Sequence, residues 1–202
     1  MNGIILISGG GSNLQSIIDS ASLIGLSIQC VISNNPDAFG IKRASSANIP
    51  TCVLDHKLYD SRKTFDLALM SAIDHYRPDI IILAGFMRIL TDAFIDKYQG
   101  KLLNIHPSLL PKHPGLNTHQ KAIDAQDTTH GVSVHFVTKT LDGGPVIAQK
   151  SLEINPEENA ETLAARVLQL EHVLYPTVIH WYTQGRLELL NETTATLDGK
   201  LI

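Results

Sequence analysis

The run Ile4-Ile5-Leu6-Ile7 is followed almost at once by Gly9-Gly10-Gly11-Ser12-Asn13, and the next apolar positions, Leu14, Ile17, Ile18 and Ala21, recur at helical spacing. A short run without polar interruption reads as a strand buried on both faces, unlike the alternating strands of a sheet with one wet face. A glycine turn that leads such a strand into a helix is the opening of a parallel α/β sheet. This junction confines the chain to α/β architectures, whose ligand sites lie beyond the carboxyl ends of the strands.

The alternation continues along the chain. Strands are expected over 27–33 and 51–54, with a short helix over 36–48 between them. Phe65, Leu69, Ala72, Ile73 and Tyr76 define an amphipathic helix near 60–76, capped by Asp60 or Ser61. A fourth strand over 80–84 ends at Gly85, and a fifth covers 101–105. Residues 131–138, where Val132, Val134 and Phe136 alternate with Ser133 and His135, and residues 145–152 read as β segments joined through the Asp142 loop. Leu163, Val167, Leu170, Leu174 and Val178 mark a long closing helix, expected to bend at Pro176. A short strand over 185–190 follows, and the tail from Asn191 is expected to be weakly ordered. The fold class is therefore α/β: a Rossmann-like, mostly parallel sheet with helices on both faces, extended by a mixed β C-terminal part and a long closing helix. With 202 residues and no repeat or linker, one domain is expected over 1–202, Rossmann-like to about 105 and carrying the reactive groups over about 106–190.

Composition excludes several classes. Hydrophobic residues are 44% and charged residues 18%, too apolar for a disordered chain. A net charge of -4 argues against a broad nucleic-acid surface. The run at 4–7 is too short for a membrane span or a signal peptide and has no basic leader, so a cytoplasmic protein without membrane attachment is expected. Cys30 and Cys52 form no disulfide framework and read as buried thiols. The histidines show neither H-E-x-x-H nor zinc-finger spacing, and no metal is expected.

Two sets of residues carry chemistry. Gly11, Ser12 and Asn13 would expose backbone N–H groups at a positive helix end, suited to a sugar phosphate; the plainer alternative makes Ser12 or Asn13 a helix cap. Leu14 stands where a dinucleotide fingerprint needs its third glycine, and no Gly-Lys-Ser/Thr follows. The second set is Asn104, His106 and Asp142. Asn104 and His106, two apart on a strand, leave the same face, and Pro107 and Pro111 then fix a loop. Asp142 sits at the turn Gly143-Gly144-Pro145, 36 positions (142 − 106) after His106, so only the fold can bring them together. Amide and imidazolium would bind the oxyanion formed when an amine attacks a carbonyl, and the carboxylate would raise the imidazole above its ordinary ~6.5 and orient it. Ser108 follows a proline and no G-x-S-x-G occurs, which counts against a serine hydrolase. The apolar stretch Gly85-Phe86-Met87 with Ile89 and Leu90 suits a flat heterocycle, and Arg88 a carboxylate.

With these motifs, from Ile7 to Leu14, Leu83 to Leu90, Asn104 to Pro111, Ser133 to Val137 and Leu141 to Pro145, the chain resembles the folate-dependent formyltransferases as far as about Leu190. The Gly11-Ser12-Asn13 turn and Gly115-Leu116-Asn117-Thr118-His119 are similar to the branch acting on glycinamide ribonucleotide. The resemblance implies formyl transfer from 10-formyltetrahydrofolate to that substrate's primary amine, with Asn104, His106 and Asp142 catalytic and no metal. It implies substrate contacts by Gly11, Ser12, Asn13 and Glu171. Folate contacts are implied for Arg62, Met87, Arg88, Ile89 and Leu90, for the Thr138-Lys139-Thr140-Leu141-Asp142 loop, and for Asn104. Gly10, His113 and Asn117 depart from residues common in that branch. The alternatives are a formyltetrahydrofolate hydrolase, a formyltransferase for another amine, and a nucleotide-binding module without turnover. Partners are expected to be small molecules, and the assembly a monomer or homodimer.

Overall fold

The computed structural model describes residues 1–202. A seven-stranded sheet has the order β3-β2-β1-β4-β5-β6-β7. Its strands are β1 (Asn2–Ile7), β2 (Ser27–Ser33), β3 (Thr51–Val53), β4 (Ile80–Leu83), β5 (Leu102–His106), β6 (Thr129–Phe136) and β7 (Val146–Glu153). The first five are parallel, while β6 runs against β5 and β7 against β6. The chain winds outward from β1 to β2 and β3, then crosses to β4 and β5, so the order reverses between β1 and β4. Open α/β sheets hold their ligands outside this reversal.

The two-sided burial expected of the first strand is present, and it sorts the helices. Ile5 and Ile7 belong to one core, with α1 (Ser12–Ser20), α2 (Phe39–Ser46) and the long α6 (Ala160–Thr183). Ile4 and Leu6 belong to the other, with α3 (Arg62–His75) and α4 (Asp92–Lys97). Ser61 caps α3 through a reciprocal capping box with Thr64. The helices α4 and α5 (Thr118–Asp124) have no counterpart in the expected pattern: six and seven residues are under two turns, too few for a periodic signal.

The tail corrects one expectation. Instead of a weakly ordered end, β8 (Leu187–Asn191), β9 (Thr194–Leu197) and β10 (Lys200–Leu201) form an antiparallel three-stranded sheet. Arg186 pairs with Asp198 at 2.6 Å across it, and buried Leu187 and Ala195 join the core beside α6. Tyr182 on α6 donates to the carbonyl of Gly100 at 3.0 Å, tying that helix to the turn before β5.

The core on the α3/α4 face stops short of the end of β5. Leu102 belongs to it, yet positions 104 and 106 in the same row are Asn104 and His106. Across β6 the same row reads Ser133 and His135, while Val132, Val134 and Phe136 face the other core. A polar shelf thus begins where the apolar layer ends, at the carboxyl end of β5.

Candidate active site

Three cavities run side by side over the carboxyl ends of β1, β4 and β5. The central one, about 500 Å³, is walled by Asn104, His106, Asp142, Gly85 to Ile89 and Gly115 to His119. A smaller apolar arm of about 100 Å³ shares Arg88, Ile89, Asn104, Leu141 and Asp142 with it and adds Leu90, Ile95 and Thr138 to Thr140. On the other side a cavity of about 320 Å³ shares Gly85, Met87 and Pro107 and is lined by Gly9 to Asn13 and Glu171. The expected reactive set is therefore together, between the glycine turn and the apolar loop.

His106 is buried, 6% exposed. Its Nε2 lies 3.0 Å from the carbonyl of His113, which can only accept, so Nε2 carries a proton. Its Nδ1 faces Asp142 Oδ2 across 3.6 Å, an ion-pair contact longer than a hydrogen bond. One ring nitrogen is thus held by a backbone carbonyl and the other faces a carboxylate. Asp142, at φ 50, is held by the amide of Gly115, which donates to Oδ2 at 2.8 Å. One carboxylate thus ties the β6–β7 loop to β5 and to the segment before α5.

That segment is itself anchored. Ser133 donates to the Ser108 carbonyl at 2.6 Å and accepts from the amide of Leu110 at 3.0 Å. Asp127 takes Lys112 at 2.8 Å and His113 at 2.7 Å, and these hydrogen bonds hold its carboxyl below the usual range. Neither the Ser133 nor the Asp127 anchor was expected from the sequence. The alternation of Ser133 and His135 with apolar neighbours was the available signal, since polar groups in an inward row need partners.

At the glycine turn, Gly11 has φ 70 and no side chain caps α1, so neither Ser12 nor Asn13 is a cap. The first amides of the helix are left for an anion in the adjoining cavity. Asn13 instead donates to Glu171 Oε2 at 2.6 Å, and burial pushes the Glu171 carboxyl up in spite of that bond. Asn13 Oδ1 is buried without a partner.

The expected folate residues divide. Arg88, Ile89, Leu90, Asn104 and Thr138 to Asp142 line the apolar arm, and Met87 lines the other two cavities. The Arg88 guanidinium stacks 4.7 Å over the Phe65 ring, with a buried Nε that has no partner. Lys139 reaches Asp96 on α4 at 2.7 Å. Arg62, exposed in the first turn of α3, lines none of the three cavities. No group of three or more His, Cys, Asp or Glu is arranged to hold a metal ion, and no helix is long and apolar enough to cross a membrane.

Residues 1–179 match the family model described as formyl transferase. The phosphoribosylglycinamide formyltransferase of Escherichia coli (strain K12) is 50% identical over 202 residues, covering 99% of this chain and 95% of that protein. The trifunctional purine biosynthetic protein adenosine-3 of Homo sapiens is 42% identical over 187 residues, 92% of this chain but 18% of that much longer protein. Among solved structures, the phosphoribosylglycinamide formyltransferase from Coxiella burnetii superposes with a TM-score of 0.95 at 50% identity, covering 100% of this chain and 95% of that one.

Proposed function

The chain belongs to the formyl transferase family, and from that membership we propose that it transfers the formyl group of 10-formyltetrahydrofolate to the primary amine of phosphoribosylglycinamide, a step of purine biosynthesis. The observation that carries the reading is the buried His106–Asp142 pair beside Asn104, in the wall of a cavity that joins a glycine turn to an apolar arm.

The donor set matches the bond changes. The amine nitrogen attacks the formyl carbon, a new C–N bond forms, and the carbonyl oxygen takes up negative charge. One hydrogen of the Asn104 amide and the Nδ1–H of His106 bind that oxygen, and Asp142 balances the imidazolium. Collapse breaks the bond to the folate nitrogen, which gains a proton as the attacking amine loses one. The uncapped start of α1, with Gly11, Ser12 and Asn13, takes the phosphate, and Glu171 the polar part of the same substrate. The pteridine lies in the arm against Leu90 and Ile89, under the Thr138–Asp142 loop, with Arg88 in its wall and Met87 in the adjoining central cavity. The chain is read as a single domain, Rossmann-like to about 105, with His106, Asp142 and the loop over the folate in about 106–190, acting in the cytoplasm as a monomer or homodimer.

A steady-state assay with both substrates tests this. Formyl transfer that requires the amine is the expected result; equal turnover in water alone would identify a hydrolase. His106→Ala and Asp142→Asn are expected to lower kcat by about 10² to 10³ with the fold retained, and wild-type turnover in both would overturn the roles.

A further inference from the structure

We propose that His135 is a positioning residue that dictates which end of the Asn104 amide faces the reaction centre. The antiparallel register sets the two directly opposite each other on β5 and β6. His135 is 2% exposed, and its Nδ1 lies 2.8 Å from the carbonyl of Phe136. A carbonyl only accepts, so the ring proton is on Nδ1. Burial opposes a second proton. Nε2 is then a lone-pair acceptor, 3.1 Å from Asn104 Nδ2. A flipped amide would set oxygen against that lone pair. The NH2 end is thereby fixed on the side where Asp142 Oδ1 lies 3.8 Å from Nε2. One N–H is spent on His135 and the other is kept for the substrate oxygen.

This rests on the formyl-transfer reading, and its test separates the two. The His135→Phe variant keeps a ring but removes the acceptor. It is expected to lower kcat by about tenfold, the value of one hydrogen bond, with both KM values within about twofold. His135→Gln, which restores an acceptor at the Nε2 position, is expected to recover most of that loss. In an Asn104→Ala background the His135→Phe change should alter kcat by less than about twofold, because its effect passes through the amide. An equal loss in both backgrounds, or none in the wild-type background, overturns the proposal. If His135→Phe does not fold, His135→Asn, which keeps the Nδ1-side donor and loses the far acceptor, enters the same cycle with the same expectation. Independently of turnover, ¹⁵N spectra of the imidazole should show the Nδ1–H tautomer at neutral pH. An Nε2–H tautomer refutes the positioning role even in an active enzyme, and the Nδ1–H form in an inactive one refutes only the formyl-transfer reading.

Discussion

Among the titratable side chains near the cleft, His130 has the most evident consequence for stability. It is 1% exposed, hydrogen-bonds the Pro107 backbone and meets His119 Nδ1 at 3.1 Å. Burial, reinforced by His119, pushes it down to about 4. The unfolded chain binds this proton near ~6.5 while the native protein refuses it. Stability contributed by the neutral ring is therefore whole above ~6.5, declines as pH falls toward ~4, and changes no further below that, by on the order of 3 kcal/mol in all. Urea titrations between pH 4 and 7 should show this slope, and His130→Asn should flatten it. At this scale the sequence pointed to residues that the fold gathers in the cavity wall, and gave little about their partners. Asn104, His106 and Asp142 could be named from residue type and spacing. That Asp142 would also accept from Gly115, or His106 donate to His113, depends on loop paths without periodicity.

Elements hold the site through few contacts. Tyr175, fully buried on α6, donates to the carbonyls of Leu83 at 2.9 Å and Leu103 at 3.0 Å, clamping β4 to β5 from the helix side. Tyr175→Phe is expected to cost about 1–2 kcal/mol, read as a lower denaturant midpoint with an unchanged m-value. The glycine turn rests on α2: a Cβ on Gly11 would lie 2.7 Å from the Gly40 Cα, and Gly40 N donates to Gly9 O at 3.0 Å. Gly11→Ala should displace the turn, raising KM for the phosphorylated amine by about tenfold and leaving KM for the folate unchanged. Strands and long helices were legible because burial on one or two faces writes a period into the chain. The early β2 range and the Ser61 cap show how far that reaches, whereas the C-terminal sheet shows its limit, since Thr194 to Leu201 is short, polar and held by pairing.

Over the whole molecule, two apolar cores enclose one sheet, and the switch from parallel to antiparallel pairing after β5 carries the Asp142 loop to the end of β5. The α/β class followed from the first strand and turn, but the meeting of positions 104, 106, 135 and 142 needed the strand order. Met87 stands 70% exposed in the floor shared by the central and turn-side cavities. With the phosphorylated amine and a non-transferring folate analogue both bound, peroxide oxidation of Met87 should slow by about tenfold. Met1, 45% exposed at the amino end of β1, the end opposite the cavities, serves as the internal control and should react at its former rate. The row of three adjoining cavities has a kinetic corollary. The two outer compartments share no lining residue, so neither reactant is expected to pass through the other's berth, and initial-velocity plots should intersect with no compulsory sequence of addition.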